Sequence, residues 1–419
     1  MERDQRTFVI VGASLAGVTA AETLRAEGFT GRLVLVGEER ELPYERPPLS
    51  KGYLLGNDPR KRALLHDEEW YAAHGVELFL DCRATNLHPG TRTVTLDNVT
   101  ELRYDKLLLA TGSWVRDLCV PGSAARGVHH LRTLDDADAL RAALSAGARV
   151  VVIGAGWIGL ETAAAARAYG CPVTVVEVAP LPLWRVLGDE VAVVFRDLHT
   201  AHGVEFRFDT AVSAIRSVDG WAAGVLLEDG TELPADVVVV GVGVLPATEL
   251  AEAGGLAMND GVVTDASLRT SDPDIFACGD VASSFHPLLG KRIRMEHWAN
   301  ALGGGAAAAR AMLGRRVVYD PVPYCYSDQY DLGLEYSGYV EPGGYDQVVF
   351  RGDPSVADGR APEFIAFWLK DGRVLAGMNV NVWDVVDDIH RLVRAGYAGR
   401  SVDPAKLADP AVPLDALAG

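Results

Sequence analysis

Two glycine-rich stretches carry most of the chemistry this sequence announces. In the first, Gly12-Ala-Ser-Leu-Ala-Gly17, Gly12 permits a tight turn. Ser14 keeps the middle position small, and Gly17 lets a following helix pack closely on a sheet. The second, Gly154-Ala-Gly156-Trp-Ile-Gly159, has glycine at all three positions. The free backbone N–H groups of such a loop meet the positive end of a helix dipole, and together they favour the pyrophosphate of a dinucleotide. Ser14 departs from glycine, but it is small and can offer its own hydroxyl to phosphate. An acid follows each stretch by about 20 residues, where a carboxylate accepts hydrogen bonds from ribose hydroxyls. These acids are Glu38 and Glu177. Glu177 would also repel a 2′-phosphate. Residues 178–184 add no base, although Arg185 follows, so NAD(H) is expected over NADP(H). Glu161 falls in the first turns after the second loop. It is either a carboxylate answering the helix dipole or a nicotinamide contact.

Each loop needs a strand before it and a helix after it. FVIV at 8–11 and VVVI at 150–153 precede the loops, Ala-rich segments follow, and the runs LVLVGE and VTVVE end on Glu38 and Glu177. Short, continuously apolar runs read as fully buried parallel strands, with the Ala-rich segments as crossover helices. The chain therefore carries two dinucleotide-binding βαβ units. LLLATGS at 107–113, VVVVGVGVLP at 237–246 and DIFACGDVA at 274–282 read as further strand-to-turn passages. From about 326 the texture changes to alternating strands, with a turn at Asp371-Gly372 and a helix over 384–394. That pattern suggests an antiparallel sheet in a third, α+β domain.

The 419 residues suit two or three domains, and 49% hydrophobic with 23% charged residues is a soluble globular balance. The apolar run at 8–11 stops at Gly12 and reads as a strand rather than the core of a secretion signal. No stretch approaches the roughly 20 apolar residues of a membrane helix. Cys82, Cys119, Cys171, Cys278 and Cys325 are far apart in sequence. No CxxC metal or redox pair exists, and reduced cytoplasmic thiols are expected. A net charge of −18 disfavours nucleic-acid binding. It also means that an acidic protein partner would need a local basic patch.

The order of the motifs resembles a known family. GxSxxG, Arg46-Pro-Pro-Leu-Ser-Lys51, ATG at 110–112, GxGxxGxE, CGD at 278–280, EHWANA at 296–301 and SDQYDL at 327–332 follow one another. In this it is similar to the FAD-dependent NAD(H):ferredoxin reductases that feed bacterial cytochromes P450 and ring-hydroxylating dioxygenases. The resemblance covers nearly the whole chain. It implies an α/β fold with two Rossmann-like domains of the glutathione reductase kind and a C-terminal α+β domain. The expected divisions are 1–115 with 246–325 for FAD, 116–245 for NAD(H), and 326–419 for the C-terminal interface domain.

For FAD the resemblance implies Gly12, Ser14, Leu15, Ala16, Gly17, Glu38, Arg46, Lys51, Ala84, Arg132, Asp280 and Trp298. For NAD it implies Gly154, Gly156, Ile158, Gly159, Glu161, Glu177, Arg185 and Gly243. Lys51 matches a lysine near the flavin ring, where a cation would stabilise the reduced, anionic flavin. Without that context it reads as a solvated lysine. Asp280 is a ribityl partner or a plain turn carboxylate, and Trp298 is a cover for the flavin or a core tryptophan. Arg185 reaches the nucleotide or is an ordinary surface arginine. Where the family often has FWSDQY, this chain has Cys325-Tyr326-Ser-Asp-Gln-Tyr330. The implied chemistry is hydride transfer from NADH to FAD, with electrons leaving singly to a [2Fe–2S] ferredoxin. No metal, nucleic acid or membrane insertion is involved, and the protein is expected to be a monomer or weak dimer. The rivals are a thiol-dependent reductase, oxidase or peroxidase, a reductase of rubredoxin or another redox protein, and a non-enzymatic flavoprotein resembling apoptosis-inducing factor. The first needs a cysteine where Leu49-Ser50-Lys51 stands.

Overall fold

The computed structural model describes residues 4–357 and 359–417. The chain forms two compact units. One comprises Met1–Glu45, Arg60–Trp114 and Leu245–Pro323, the other Arg46–Pro59, Val115–Val244 and Tyr324–Gly419.

The first unit is built on a five-stranded parallel sheet. Its order is Ile275–Ala277, Lys106–Leu109, Thr7–Val11, Arg32–Val36, Val76–Phe79. Alternate residues of these strands enter different cores, which is why the runs are apolar throughout. Phe8, Ile10, Leu33, Leu35 and Leu108 pack on one face, beneath the helices Leu15–Ala26 and Trp298–Met312. Val9, Val11, Val34, Val36, Leu107 and Leu109 pack on the other, with Leu87 and Val94 of a small antiparallel sheet. Each such buried side chain contributes about 1.5–3 kcal/mol, so both faces hold the register. The two helices cross closely: a Cβ on Gly305 would lie 2.3 Å from the carbonyl oxygen of Ala16.

The second unit repeats the plan. Its parallel order is Val204–Arg207, Val173–Val176, Val150–Ile153, Val237–Val240, Val128–His129. In both sheets the strand leading into the glycine loop is central. It is flanked by the strand that ends on the acid and by the one that ends on a glycine turn. Val150, Val152, Val173 and Val175 enter one core, and Val151, Ile153 and Val176 the other.

Residues from Tyr324 onward form an antiparallel sheet in this unit, ordered Tyr324–Gln329, Leu332–Gly338, Arg373–Val380, Glu363–Lys370, Gln347–Asp353. Asp371 and Gly372, with φ of 50° and 71°, make the two-residue turn expected there. The helix anticipated over 384–394 runs Val386–Tyr397. Residues 46–59 group with this unit rather than with the amino-terminal one. Their side chains explain why: Lys51 bonds to Glu161, and Tyr53 to Asp138 at 2.7 Å. Among the described residues no helix is long and apolar enough to cross a membrane.

Candidate functional site: two nucleotide cradles and a buried ion pair

The two loops are built by the same backbone bonds. The N–H of Gly12 donates to Val36, and that of Gly154 to Val176, both at 2.8 Å. Gly12 (φ +118°) lies so near the next strand that a Cβ would sit 2.0 Å from the Ala110 oxygen. On Gly154 (φ +100°) a Cβ would sit 2.4 Å from the Gly241 oxygen. On Gly17 or Gly159 it would strike the carbonyl of the loop's own first glycine, at 1.9 and 2.1 Å. Packing within the chain therefore demands these four glycines.

Gly156 is different. It starts the helix Trp157–Ala168 with φ −78°, and an added Cβ would meet nothing within 4 Å. Nothing inside the protein requires glycine here, whereas a pyrophosphate approaching the backbone does. Neither Leu15–Ala26 nor Trp157–Ala168 has a side-chain cap or an acid in its first turn. The helix Leu134–Ala143, by contrast, carries a full capping box from Thr133 and Asp136. The bare amino ends of the first two fit the phosphates of FAD and NAD(H).

In the first unit Leu15 and Ala16 open the helix, and Ser14 precedes it. The Ser14 hydroxyl donates to the Tyr44 carbonyl at 3.2 Å, not outward as anticipated. Glu38 is exposed one residue beyond Gly37, with Arg83 at 3.8 Å. Partial burial raises its carboxyl, and Arg83 opposes the shift. Ala84 begins the strand Ala84–His88. Gly279 approaches Ala16, which brings the Asp280 turn beside the first loop. The Ser113 hydroxyl donates to Asp280 at 2.7 Å. Trp298 begins its helix, and its indole N–H donates to Glu45 at 3.3 Å. Burial lowers the neighbouring His297, with Asp280 opposing.

Arg46, Lys51 and Arg132, placed with FAD by resemblance, belong to the second unit. The guanidinium of Arg46 donates to the Arg132 carbonyl. Lys51 donates to Glu161 at 2.8 Å, so it is not a solvated lysine. Glu161 is buried and also accepts the Ser50 hydroxyl and, at 2.6 Å, the Ser327 hydroxyl. Its oxygens answer side chains, not the helix end. The Glu177 carboxylate accepts the N–H groups of Ala155 (2.6 Å) and Ala179 (2.9 Å). It thereby fixes the glycine loop, and its remaining lone pairs can still take ribose hydroxyls.

Ile158, at the start of the helix, is 45% exposed, a large apolar side chain left uncovered. Arg185 is exposed, and Gly243 (φ +98°) turns the chain, its carbonyl accepting Arg116 N–H. Sequence reasoning missed Ser50 and Ser327 as partners of Glu161, although both sit inside motifs it had singled out. It also missed the Leu183 N–H, which donates to Ala155 at 3.0 Å, and nothing in the sequence pattern marks that bond.

Burial pushes the Cys278 and Cys325 thiols up to about 12, so neither supplies a thiolate at neutral pH. Among the described residues no cluster of three His, Cys, Asp or Glu side chains could hold a metal.

Residues 6–305 match the family described as pyridine nucleotide-disulphide oxidoreductase. The chain belongs to that family. Residues 324–418 match the reductase C-terminal domain. This pyridine nucleotide-disulphide oxidoreductase is therefore a mixed α/β oxidoreductase that works with FAD and NAD(H). The ferredoxin–NAD(+) reductase component of the anthranilate 1,2-dioxygenase system of Burkholderia cepacia is 45% identical over 408 residues, 97% of this chain and 98% of that one. The crystal structure of the ferredoxin reductase for the CYP199A2 system from Rhodopseudomonas palustris matches with a TM-score of 0.93. It is 36% identical, with 99% of this chain and 100% of that one covered. A covalent putidaredoxin reductase–putidaredoxin complex matches with a TM-score of 0.90 at 36% identity, covering 98% and 97%.

Proposed function

We propose that the protein oxidises NADH and passes the electrons through FAD to a [2Fe–2S] ferredoxin serving a cytochrome P450 or a ring-hydroxylating dioxygenase. The observation that carries this is the pair of uncapped glycine cradles in a chain with Leu49-Ser50-Lys51, and no cysteine, where thiol-dependent enzymes need one. The ferredoxin reductases among its relatives supply the acceptor class. Bound FAD would supply hydride-accepting chemistry and the conversion from two-electron to one-electron transfer.

The protein's own part is binding, orientation and charge. Gly12, Ser14, Leu15, Ala16 and Gly17 would take the FAD pyrophosphate, Glu38 its ribose, and Asp280 its ribityl chain. Ala84, Arg46, Arg132 and Trp298 would complete that site. Gly154, Gly156, Ile158, Gly159 and Gly243 would seat NADH. Glu177 would hold its ribose and disfavour a 2′-phosphate, and Arg185 would meet its polar edge. Lys51, paired with Glu161, would supply a fixed positive charge at the reacting rings. The segments around the first cradle would form the FAD domain, 116–245 the NAD(H) domain, and the antiparallel sheet within 326–419 the face that meets the ferredoxin. The free thiols fit a reducing compartment such as the cytoplasm. A monomer or weak dimer in solution completes the reading.

The test is stopped-flow reduction of the holoprotein by NADH and NADPH, followed by mixing with purified ferredoxins. NADH should reduce the flavin faster, and a [2Fe–2S] ferredoxin should reoxidise it. Equal rates with the two nucleotides would refute the argument from Glu177. Transfer to rubredoxin alone would reassign the acceptor. A stable nicotinamide complex that turns over slowly with every carrier would point to a signalling flavoprotein.

A further inference from the structure

The SDQY segment is more than a strand edge. Ser327 and Gln329, on one face of Tyr324–Gln329, are each 1% exposed, and His199 in the helix Trp184–Ala201 is fully buried. Four polar side chains run in series to Glu161. Tyr330 OH lies 3.2 Å from His199 Nδ1, and His199 Nε2 lies 2.8 Å from Gln329 Oε1. Gln329 Nε2 is 3.1 Å from Ser327 Oγ, and Ser327 Oγ is 2.6 Å from Glu161 Oε1.

Donor and acceptor capacities fix the direction of every bond. Glu161 faces the Lys51 ammonium and the Ser50 hydroxyl as well, so it is an anion that only accepts. The single Ser327 proton must therefore go to Glu161, which leaves its oxygen to accept from the Gln329 amide. That turns the Gln329 carbonyl toward His199, whose Nε2 must then carry a proton. A neutral imidazole protonated there has a bare Nδ1, which accepts the Tyr330 hydroxyl. Burial, pushing His199 down to about 4, keeps the ring neutral.

A second observation points the same way. Tyr330 has φ +57°, a left-handed backbone that a bulky residue adopts at a cost. The conformation stacks its ring on His202 at 3.7 Å and brings its hydroxyl to His199.

We propose that Tyr330, His199, Gln329 and Ser327 are positioning residues. They form a one-directional hydrogen-bond chain that holds the Glu161 carboxylate, and through it the Lys51 ammonium, in place for nicotinamide and flavin. The proposal deepens the function above and rests on it, because it takes the Lys51–Glu161 pair to stand at the reacting rings.

Two measurements test it. In ¹⁵N-histidine-labelled holoprotein at neutral pH, two-bond ¹H–¹⁵N spectra, assigned by loss of one signal in His199→Gln, should show His199 protonated at Nε2 and bare at Nδ1. An imidazole protonated at Nδ1 overturns the chain, whatever any variant does. The near-isosteric Gln329→Glu cannot donate to Ser327 as a carboxylate, so it should draw the serine proton away from Glu161. The limiting rate of flavin reduction by NADH should then fall about tenfold, with FAD content unchanged. A folded variant that is reduced at the wild-type rate also overturns the proposal. If NADH fails to reduce the wild-type flavin, the proposed function falls, and the histidine spectrum still decides the direction of the chain.

Discussion

Gly156 and Gly159 are chemically identical and three positions apart, yet they answer to different masters. Gly159→Ala would drive a Cβ to 2.1 Å from a backbone oxygen and should cost about 2–3 kcal/mol of stability. Gly156→Ala meets open space at an ordinary φ, so its cost should stay within about 1 kcal/mol, the scale of a lost helix cap. It should nonetheless raise the KM for NADH by at least about tenfold, because the new methyl would stand in the proposed path of the pyrophosphate. Thermal unfolding and steady-state kinetics on the pair separate the two roles, and equal losses of stability would contradict the assignment. Glu177→Ala removes the acceptor of two backbone N–H groups. It should lower kcat/KM for NADH by about tenfold or more and narrow the gap to NADPH. At His199 the sign is set by burial. An unfolded histidine titrates near 6.5, and this one is pushed down to about 4, facing Gln329, Tyr330 and His202. Between those values the unfolded chain binds more protons. Stability should therefore fall as pH drops through that window, by up to about 1.4 kcal/mol per pH unit, and this group adds nothing below it. Urea titrations of wild type and His199→Gln between pH 4 and 7 should show a shallower acid limb in the variant.

At the scale of elements the helix crossing is the exposed joint. Gly305→Ala would place a methyl 2.3 Å from the Ala16 oxygen. It should cost about 1–3 kcal/mol, lower the thermal midpoint, and loosen FAD, since Ala16 belongs to the first cradle. Retention of FAD content and midpoint would show that the helices give way. The elements that carry these joints were largely legible in the sequence. Continuous apolar runs such as 150–153 are readable because both faces of the strand are buried, and the Asp371-Gly372 turn because its backbone needs positive φ. The placement of residues 46–59 was not legible. Which body a short segment joins depends on where Lys51 and Tyr53 find their partners, more than 80 residues away in sequence. The candidate site divides in the same way. Glycines and acids at fixed spacing announce themselves, but Ser50, Ser327 and His199 come together only through tertiary packing.

For the whole molecule, net charge is the quantity that acts at a distance. At −18 the protein repels an acidic ferredoxin until salt screens the field, whose range is about 10 Å at 0.1 M ionic strength. The second-order rate of ferredoxin reduction should first rise with salt and then fall, as the local pairs that complete docking are screened in turn. Stopped-flow mixing from 10 mM to 1 M salt should trace that maximum, and a monotonic decline would mean that attraction dominates throughout. The five thiols have a practical corollary of their own. An enzyme handling electrons in air generates some hydrogen peroxide, and thiolates are what peroxide attacks first. Burial raises the pKa of Cys171, Cys278 and Cys325, while Cys119 lies exposed. Ageing in storage should therefore register first at Cys119, as added oxygen mass or a disulfide-linked pair of chains, and Cys119→Ser should give a preparation that keeps its mass.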